Sequence, residues 1–450
     1  MKKKYVRWTL WTIASPFILF VILCILIYLP PIQNFLVDKA AVYASEATGM
    51  NISVGRISLS FPLNLVVTDV DAASPHNDTL LSVRRLQVNV QLLPLLKKQV
   101  EVDGISLQGA TVNSNDLIHG MKLNGTLGEL FISSHGVALD PETAIVNKVL
   151  LKDTDLSLCL NDTAAVDTAA SDTTYWKIIL QDIDLQNVSF ALDMPLDSLS
   201  LAASLDNAIL RDGLIDLHKS AYSLQTFRIK NGRVRYDSGK PLAADSLPSG
   251  LDPSHIALTD IGVKLDSLYY EGRNMKAIIS QFVLKERSGV EIVSATGRMV
   301  SNDKVLRVPS LKLETRDSYL ELNAAMDWNA LDFKGEGLVS ARLMADIGKP
   351  DVVRFMGRMD EKFVRQYPSE PLRIRTGIDG DLNKLKLTTL TAELPGALGL
   401  FARGELTHLT DSLLRGGDIT LEAETKDLKF VSTLAEGIEI PYGTRLEGKF

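Results

Sequence analysis

The residues that could do chemistry are few and far apart. Six histidines stand at His76, His119, His135, His218, His255 and His408, none spaced with Cys or Glu as a metal site requires. Each reads as a turn or surface residue. Cys24 and Cys159 are the only thiols, too few for a disulfide framework. Gly443 to Lys449 spells G-x-x-x-x-G-K, the opening of a phosphate-binding loop, but Phe450 follows where Ser or Thr is needed. Its context is a strand rather than a strand-to-helix turn, so that loop is rejected. No carboxylates pair for acid–base work. No catalytic residue, cofactor or metal is expected, and the chain does not read as an enzyme.

One polar triplet recurs. Asp162-Thr163-Ala164, Asp167-Thr168-Ala169 and Asp172-Thr173-Thr174 repeat every five residues in a small, acidic stretch that reads as a linker over 161–174. Further copies, Asp-Ser/Thr-Leu, begin at Asp78, Asp197, Asp245, Asp266 and Asp411. The triplet resembles an O-glycosylation signal that some Gram-negative bacteria use on exported proteins, which would make Thr163, Thr168 and Thr173 acceptors. The plain alternative is an aspartate-led turn entering a strand.

The elements around these residues point to a membrane. Trp8 to Leu29 is a 22-residue run without a charge, preceded by Lys2, Lys3, Lys4 and Arg7. At 1.5 Å per residue it spans roughly 33 Å, enough for a hydrocarbon core of about 30 Å. The basic cluster fixes the N-terminus in the cytoplasm, and Trp8, Trp11 and Tyr28 stand at the interfaces. Pro16 is tolerable beside Thr12 and Ser15. The run ends at Tyr28-Leu29-Pro30-Pro31 with no small-residue cleavage site, so it reads as a retained anchor rather than a signal peptide. Everything after it is more acidic than the overall charge of −7, which excludes nucleic acid as a partner. Ile32, Phe35, Leu36, Ala40, Tyr43 and Ala47 then mark an amphipathic helix, ended by Gly49.

From Met50 the period becomes two. Ile57, Leu59 and Phe61 alternate with serines, and Leu86, Val88, Val90 and Leu92 with Gln87, Asn89 and Gln91. Shorter runs follow at Val100–Asp103, Ile105–Leu107, Ile183–Leu185, Val188–Phe190, Leu311–Leu313, Leu320–Ala324 and Leu385–Leu387. Asn231-Gly232, Ser288-Gly289 and Asp379-Gly380 read as turns. Crossover helices are scarce, so the expected class is mostly β and antiparallel. Val352, Met356, Met359 and Phe363 recur at helical spacing. The expected organisation is tail and anchor (1–30), amphipathic helix (31–49), β segment (50–160), linker (161–174), β segment (175–344), helical insertion (345–370) and strand repeats (371–450). Arg375–Gly380 resembles Gly443–Gly448, and the sequence stops on what reads as another unit's first strand, so a longer native chain is expected. A sheet with one aliphatic face and no helical layer must fold into a sandwich or curl into a trough.

Thr48 to Phe61, Leu81-Ser82-Val83 through Leu92-Leu93-Pro94-Leu95-Leu96, and Val100 to Leu107 resemble the opening of the AsmA-like family. The anchor, Gly109-Ala110-Thr111-Val112-Asn113 and the Asp-Gly and Glu-Gly repeats are most similar to its TamB (translocation and assembly module) branch. The likeness is dense over 1–160 and looser over 175–450. It implies a single-pass inner-membrane protein of a Gram-negative bacterium, its bulk in the periplasm. The periplasmic part would be an elongated, curved antiparallel β-sheet groove with a few short helices. Such proteins conduct phospholipids toward the outer membrane. The acyl chains would lie on Ile57, Leu59, Phe61, Leu86, Val88, Val90 and Leu92. The alternative function is a scaffold for outer-membrane protein insertion with a BamA-class barrel partner, reached through a C-terminal region lacking here.

Overall fold

A computed structural model describes residues 39, 41–42, 45–46, 48–60, 64–74, 78–91, 102–114, 120–139, 142–161, 175–239, 250–332, 336–357, 359–434 and 441–449. The anchor residues Trp8, Trp11, Pro16, Tyr28 and Leu29 lie outside them, as do Phe61, Leu92, Thr163, Thr168 and Thr173. Among the described residues no helix is long and apolar enough to cross a membrane. The fold is mostly β, with 71% of the described residues in antiparallel strands, and the chain divides into two units.

The first unit holds β1 (Asn51–Ser60), β2 (Asn64–Ala73), β3 (Thr79–Val90), β4 (Val102–Asn113), β5 (Met121–Leu139), β6 (Glu142–Leu160) and residues 183–194 of β7 (Lys177–Met194). From β1 to β6 each strand pairs with the next in chain order. Residues 39, 41, 42, 45, 46 and 48 before β1 are helical. Gly49 follows them at φ 69°, and Ser45 Oγ accepts from Ile52 N at 3.0 Å, tying the helix end to the edge strand.

A seam crosses this unit. The register passes over Gly55 opposite Asp69, Asp69 opposite Arg84, Arg84 opposite Gly109, Gly109 opposite Gly128 and Gly128 opposite Asp153. Asp69, Gly109 and Asp153 are left-handed, at φ 55°, 61° and 48°. Asn187 of β7, at φ 51°, donates from Nδ2 to Asp153 Oδ1 at 2.9 Å. A left-handed residue inside a strand shifts the pleat by one, as a bulge does. In β1 the half-buried positions accordingly run 52, 54, 57, 59 rather than in strict alternation. The shift keeps Ile52, Val54, Ile57 and Leu59 on one face.

The second unit holds residues 177–182 of β7, then β8 (Leu199–Asp216), β9 (Ala221–Leu224), β10 (Thr226–Ser238), β11 (His255–Glu271), β12 (Asn274–Glu286), β13 (Glu291–Ser301), β14 (Val305–Thr315), β15 (Tyr319–Asp327) and β16 (Val339–Ile347). Helices α1 (Lys349–Met356) and α2 (Glu361–Gln366) follow. The strands resume as β17 (Leu372–Gly380), β18 (Lys384–Leu394), β19 (Leu398–Thr407), β20 (Gly416–Thr425) and β21 (Arg445–Lys449). β9 and β10 are one broken strand between β8 and β11. The reading of Asn231-Gly232 as a hairpin turn is corrected. Both residues lie inside β10, where Asn231 is left-handed at φ 56° and donates to Asp206. An Asn-Gly pair suits any backbone site needing positive φ, and here that site is a kink.

A cap of buried residues covers one end of the strands. Phe363, Tyr367, Leu394, Ala397, Leu428 and Phe430 form it, with the three aromatic rings packed pairwise 5.1–5.9 Å apart. Burial pushes the Tyr367 phenol above its ordinary pKa, so it stays neutral there. Asp351, 1% exposed, accepts from Thr315 and Ser318 and pairs with Arg354 at 3.1 Å; Arg354 also reaches Asp317 at 2.9 Å. These bonds fasten α1 to the β14–β15 turn.

The seam predicts a specific intolerance. A Cβ on Gly128 would stand 2.8 Å from Asp153 Cβ and 2.9 Å from two backbone oxygens. Gly128→Val should therefore destabilise the first unit by about 2–3 kcal/mol. Lys152→Gln, on an exposed neighbour, should stay within about 0.5 kcal/mol. Hydrogen exchange at β5 and β6 measures both.

Candidate functional site: a one-sided aliphatic face

In an antiparallel ladder, residues directly opposite one another share a face. In the first unit this aligns Ile57, Val67, Leu86, Leu107, Leu130 and Leu151 in one row, and Leu59, Leu65, Val88, Ile105, Ile132 and Val149 in the next. Across the seam, Val54, Val70, Val83, Ala110, Leu127 and Thr154 make a third row, and Ile52, Ala72, Leu81, Val112, Gly125 and Leu156 a fourth. The intervening rows are largely polar, except that Val66, Phe131 and Leu150 share one with Ser58, Gln87 and Ser106. Arg56, Thr68, Arg85, Gln108, Glu129 and Lys152 lie beside the seam, and Ser53, Asp71, Ser82, Thr111, Thr126 and Asp155 beyond it.

The second unit repeats the arrangement over more strands. Ala208, Ile229, Val263, Phe282, Ala295, Leu313, Leu320, Ala345, Ile374, Ala392, Leu400, Ala423 and Leu446 form an unbroken apolar row from β8 to β21. Two residues along, Leu311, Leu322, Leu343, Leu390, Ala402 and Leu421 lie in a parallel row interrupted by Thr376. Register shifts at Val308/Leu311 and Leu387/Leu390 then slip the phase. Val308, Ala324, Ala341, Ile378, Leu387 and Ile419 thereby stay on the same side. The opposite side is charged: Glu314, Asp346, Arg373, Glu393, Glu424 and Arg445 share one row, with Arg373 and Glu393 paired at 3.7 Å.

This aliphatic face has no second layer outside the cap among the described residues. Its leucine and isoleucine side chains are half-buried or exposed, with Ile105 37% exposed, whereas Leu394 under the cap is 4% exposed; beyond the seam the smaller Ala72, Val83, Ala110 and Thr154 are buried. A face of Leu, Ile and Val offers dispersion and hydrophobic contact and almost no directed hydrogen bonding. It suits hydrocarbon.

Of the residues singled out in the sequence, Ile57 and Leu86 share a row, and Leu59 and Val88 share the next. Val90 stands opposite Val102 at the strand end. The sequence reading missed Leu107, Leu130, Ile132 and Leu151, which complete those rows in β4 to β6. In the second unit the runs Leu311–Leu313, Leu320–Ala324 and Leu385–Leu387 fall on the face, and the remainder of it is missed. The signal was present as an aliphatic residue two places before Asp, Asn or Gly: Val67 before Asp69, Leu107 before Gly109, Leu151 before Asp153, Leu185 before Asn187, Ile229 before Asn231 and Leu258 before Asp260. In every case the third residue is left-handed.

The Asp-Ser/Thr triplets divide. Asp411 Oδ1 accepts from Leu413 N at 2.9 Å and Leu414 N at 3.3 Å, so that copy is an aspartate-led turn. Asp266-Ser267-Leu268 lies inside β11. Among the described residues, no group of three His, Cys, Asp or Glu side chains could hold a metal. No family model matches this chain, and no curated protein matches it.

An uncovered face predicts a graded response to truncation within the second unit. Leu394→Ala, under the cap, should cost about 2–5 kcal/mol. Leu322→Ala, on the open face, should cost about 1 kcal/mol, because its side chain already meets solvent. Thermal melting of the two variants, ranked against each other, checks the difference.

Proposed function

We propose that this chain is an inner-membrane-anchored, periplasmic β-groove protein that conducts phospholipids between the inner and outer membranes in outer-membrane biogenesis, in the manner of the AsmA-like family and its TamB branch. The observation that carries the reading is the aliphatic face of each unit: rows made mostly of Leu, Ile, Val and Ala, one strand after another, with mostly polar rows on the opposite side. Lipid acyl chains are the occupant that such a surface fits. The charge-free run from Trp8 to Leu29 supplies the anchor, and the basic cluster before it supplies the orientation. The seam supports a curled sheet, because a line of left-handed residues and bulges bends neighbouring strands at the same height.

Energetics fit transport rather than storage. Each methylene leaving water for the face gains about 0.8 kcal/mol, on the order of 10 kcal/mol gross for a 16-carbon chain. The same chain gains a similar amount in a bilayer. Movement along identical rows is therefore close to level in free energy, so direction must come from a difference between the two ends.

Val88→Asp combined with Leu107→Asp places two charges side by side on the face while leaving the ladder intact. Native mass spectrometry of the purified full chain should then show loss of co-purifying phospholipid, with the far-ultraviolet strand signal retained. Phospholipid bound at the wild-type level would overturn the reading.

A further inference from the structure

The aliphatic face of the second unit has two unlike edges. At one edge the turns are short or exposed: Gly272-Arg273, 302–304, the described parts of the β15–β16 connection (328–332 and 336–338), 381–383 and 408–415. Apolar side chains stand in water along it, with Leu338 and Leu414 each 62% exposed and Leu413 92% exposed.

The other edge is closed. α1 touches its turns in succession. Leu251 N donates to Arg354 O at 2.8 Å, Gly289 lies against the Arg354 side chain, and Asp317 pairs with Arg354. α2 and the segment around Phe430 continue the closure over the ends of β17 to β20.

The closure lies on the aliphatic side. Leu372, Leu394 and Leu398 pack in or against the cap. Each is two residues from a member of the unbroken row, Ile374, Ala392 and Leu400, with no register shift between. They therefore share its face. Phe363, Tyr367 and Phe430 sit over the end of the hydrocarbon surface, not behind it.

From this asymmetry we infer that a phospholipid lies along the strands in one orientation, its headgroup at the open edge of short turns and its acyl ends directed at the aromatic cap. The inference rests on the lipid-groove reading. An amphiphile must leave its headgroup in water, and the closed edge offers a buried aromatic cluster instead. The dimensions agree. From Leu306 to Leu313 in β14 the apolar strip spans seven residue steps, about 23 Å at 3.3 Å per step. One leaflet of hydrocarbon is about 15 Å thick, half of a bilayer core. A chain fits across the strip with its glycerol end at the open edge. The exposed Leu338, Leu413 and Leu414 are then the side chains that meet the interfacial part of the lipid.

The test uses the purified full chain and vesicles of phosphatidylethanolamine carrying a diazirine either at the acyl terminus or on the headgroup nitrogen. Irradiated protein is digested and the labelled peptides are assigned by mass spectrometry. The acyl-terminal probe should label peptides with Leu372, Leu398 or Phe363 in several-fold excess over those with Leu338 or Leu406, and the headgroup probe should show the reverse. Equal labelling of the two edges by both probes, or the opposite preference, overturns the orientation while leaving the lipid-groove reading standing. Absence of label from the whole aliphatic face overturns both.

Discussion

Main-chain hydrogen bonding between strands adjacent in the sequence is the interaction on which everything else depends. It fixes which residues stand opposite one another, and opposite residues share a face. A one-residue slip between any two strands would turn Leu107 and Leu130 onto the polar side and bring Gln108 and Glu129 in their place. The rows are therefore a property of register, not of composition. Register is held in turn by polar devices on the other face: the seam with its glycines and left-handed aspartates, and ion pairs such as Arg375 with Asp346 at 2.8 Å.

Because the strands follow chain order, each adds a few aliphatic side chains to a surface that its neighbours have already begun. No distant element has to return to cover it. Among the described residues the cap is where a second layer forms. It is fastened by a buried carboxylate and by aromatic packing rather than by the ladder. That division lets one end of the face be closed while the rest stays open, and it gives the surface a direction along the strands.

Much of this was legible in the sequence, for a physical reason. Where a strand alternates without a fault, as from Leu86 to Val90, period two is visible by eye and the strand follows. Where a left-handed residue slips the phase, as at Asp69, Asp153 or Asn231, the same alternation looks broken. Asn231-Gly232 was then read as a chain reversal, because the dipeptide states a backbone preference and not its location. The helical spacing of Val352, Met356, Met359 and Phe363 did locate helices, but Gly357 at φ 75° divides them into α1 and α2. Which side of the sheet they cover could not be read at all. It depends on the register of Leu372, Leu394 and Leu398, which no local pattern encodes.

The central claim is that the aliphatic face meets lipid and the adjoining row does not. Val88 and Gln87 are neighbours in β3 that point to opposite faces, so they form the sharpest pair for testing it. A photo-crosslinking amino acid placed at each position in turn, in cells, should capture phospholipid from Val88 and none from Gln87. Crosslinks from Val88 confined to other segments of the same chain would show a dry, covered core and contradict the account.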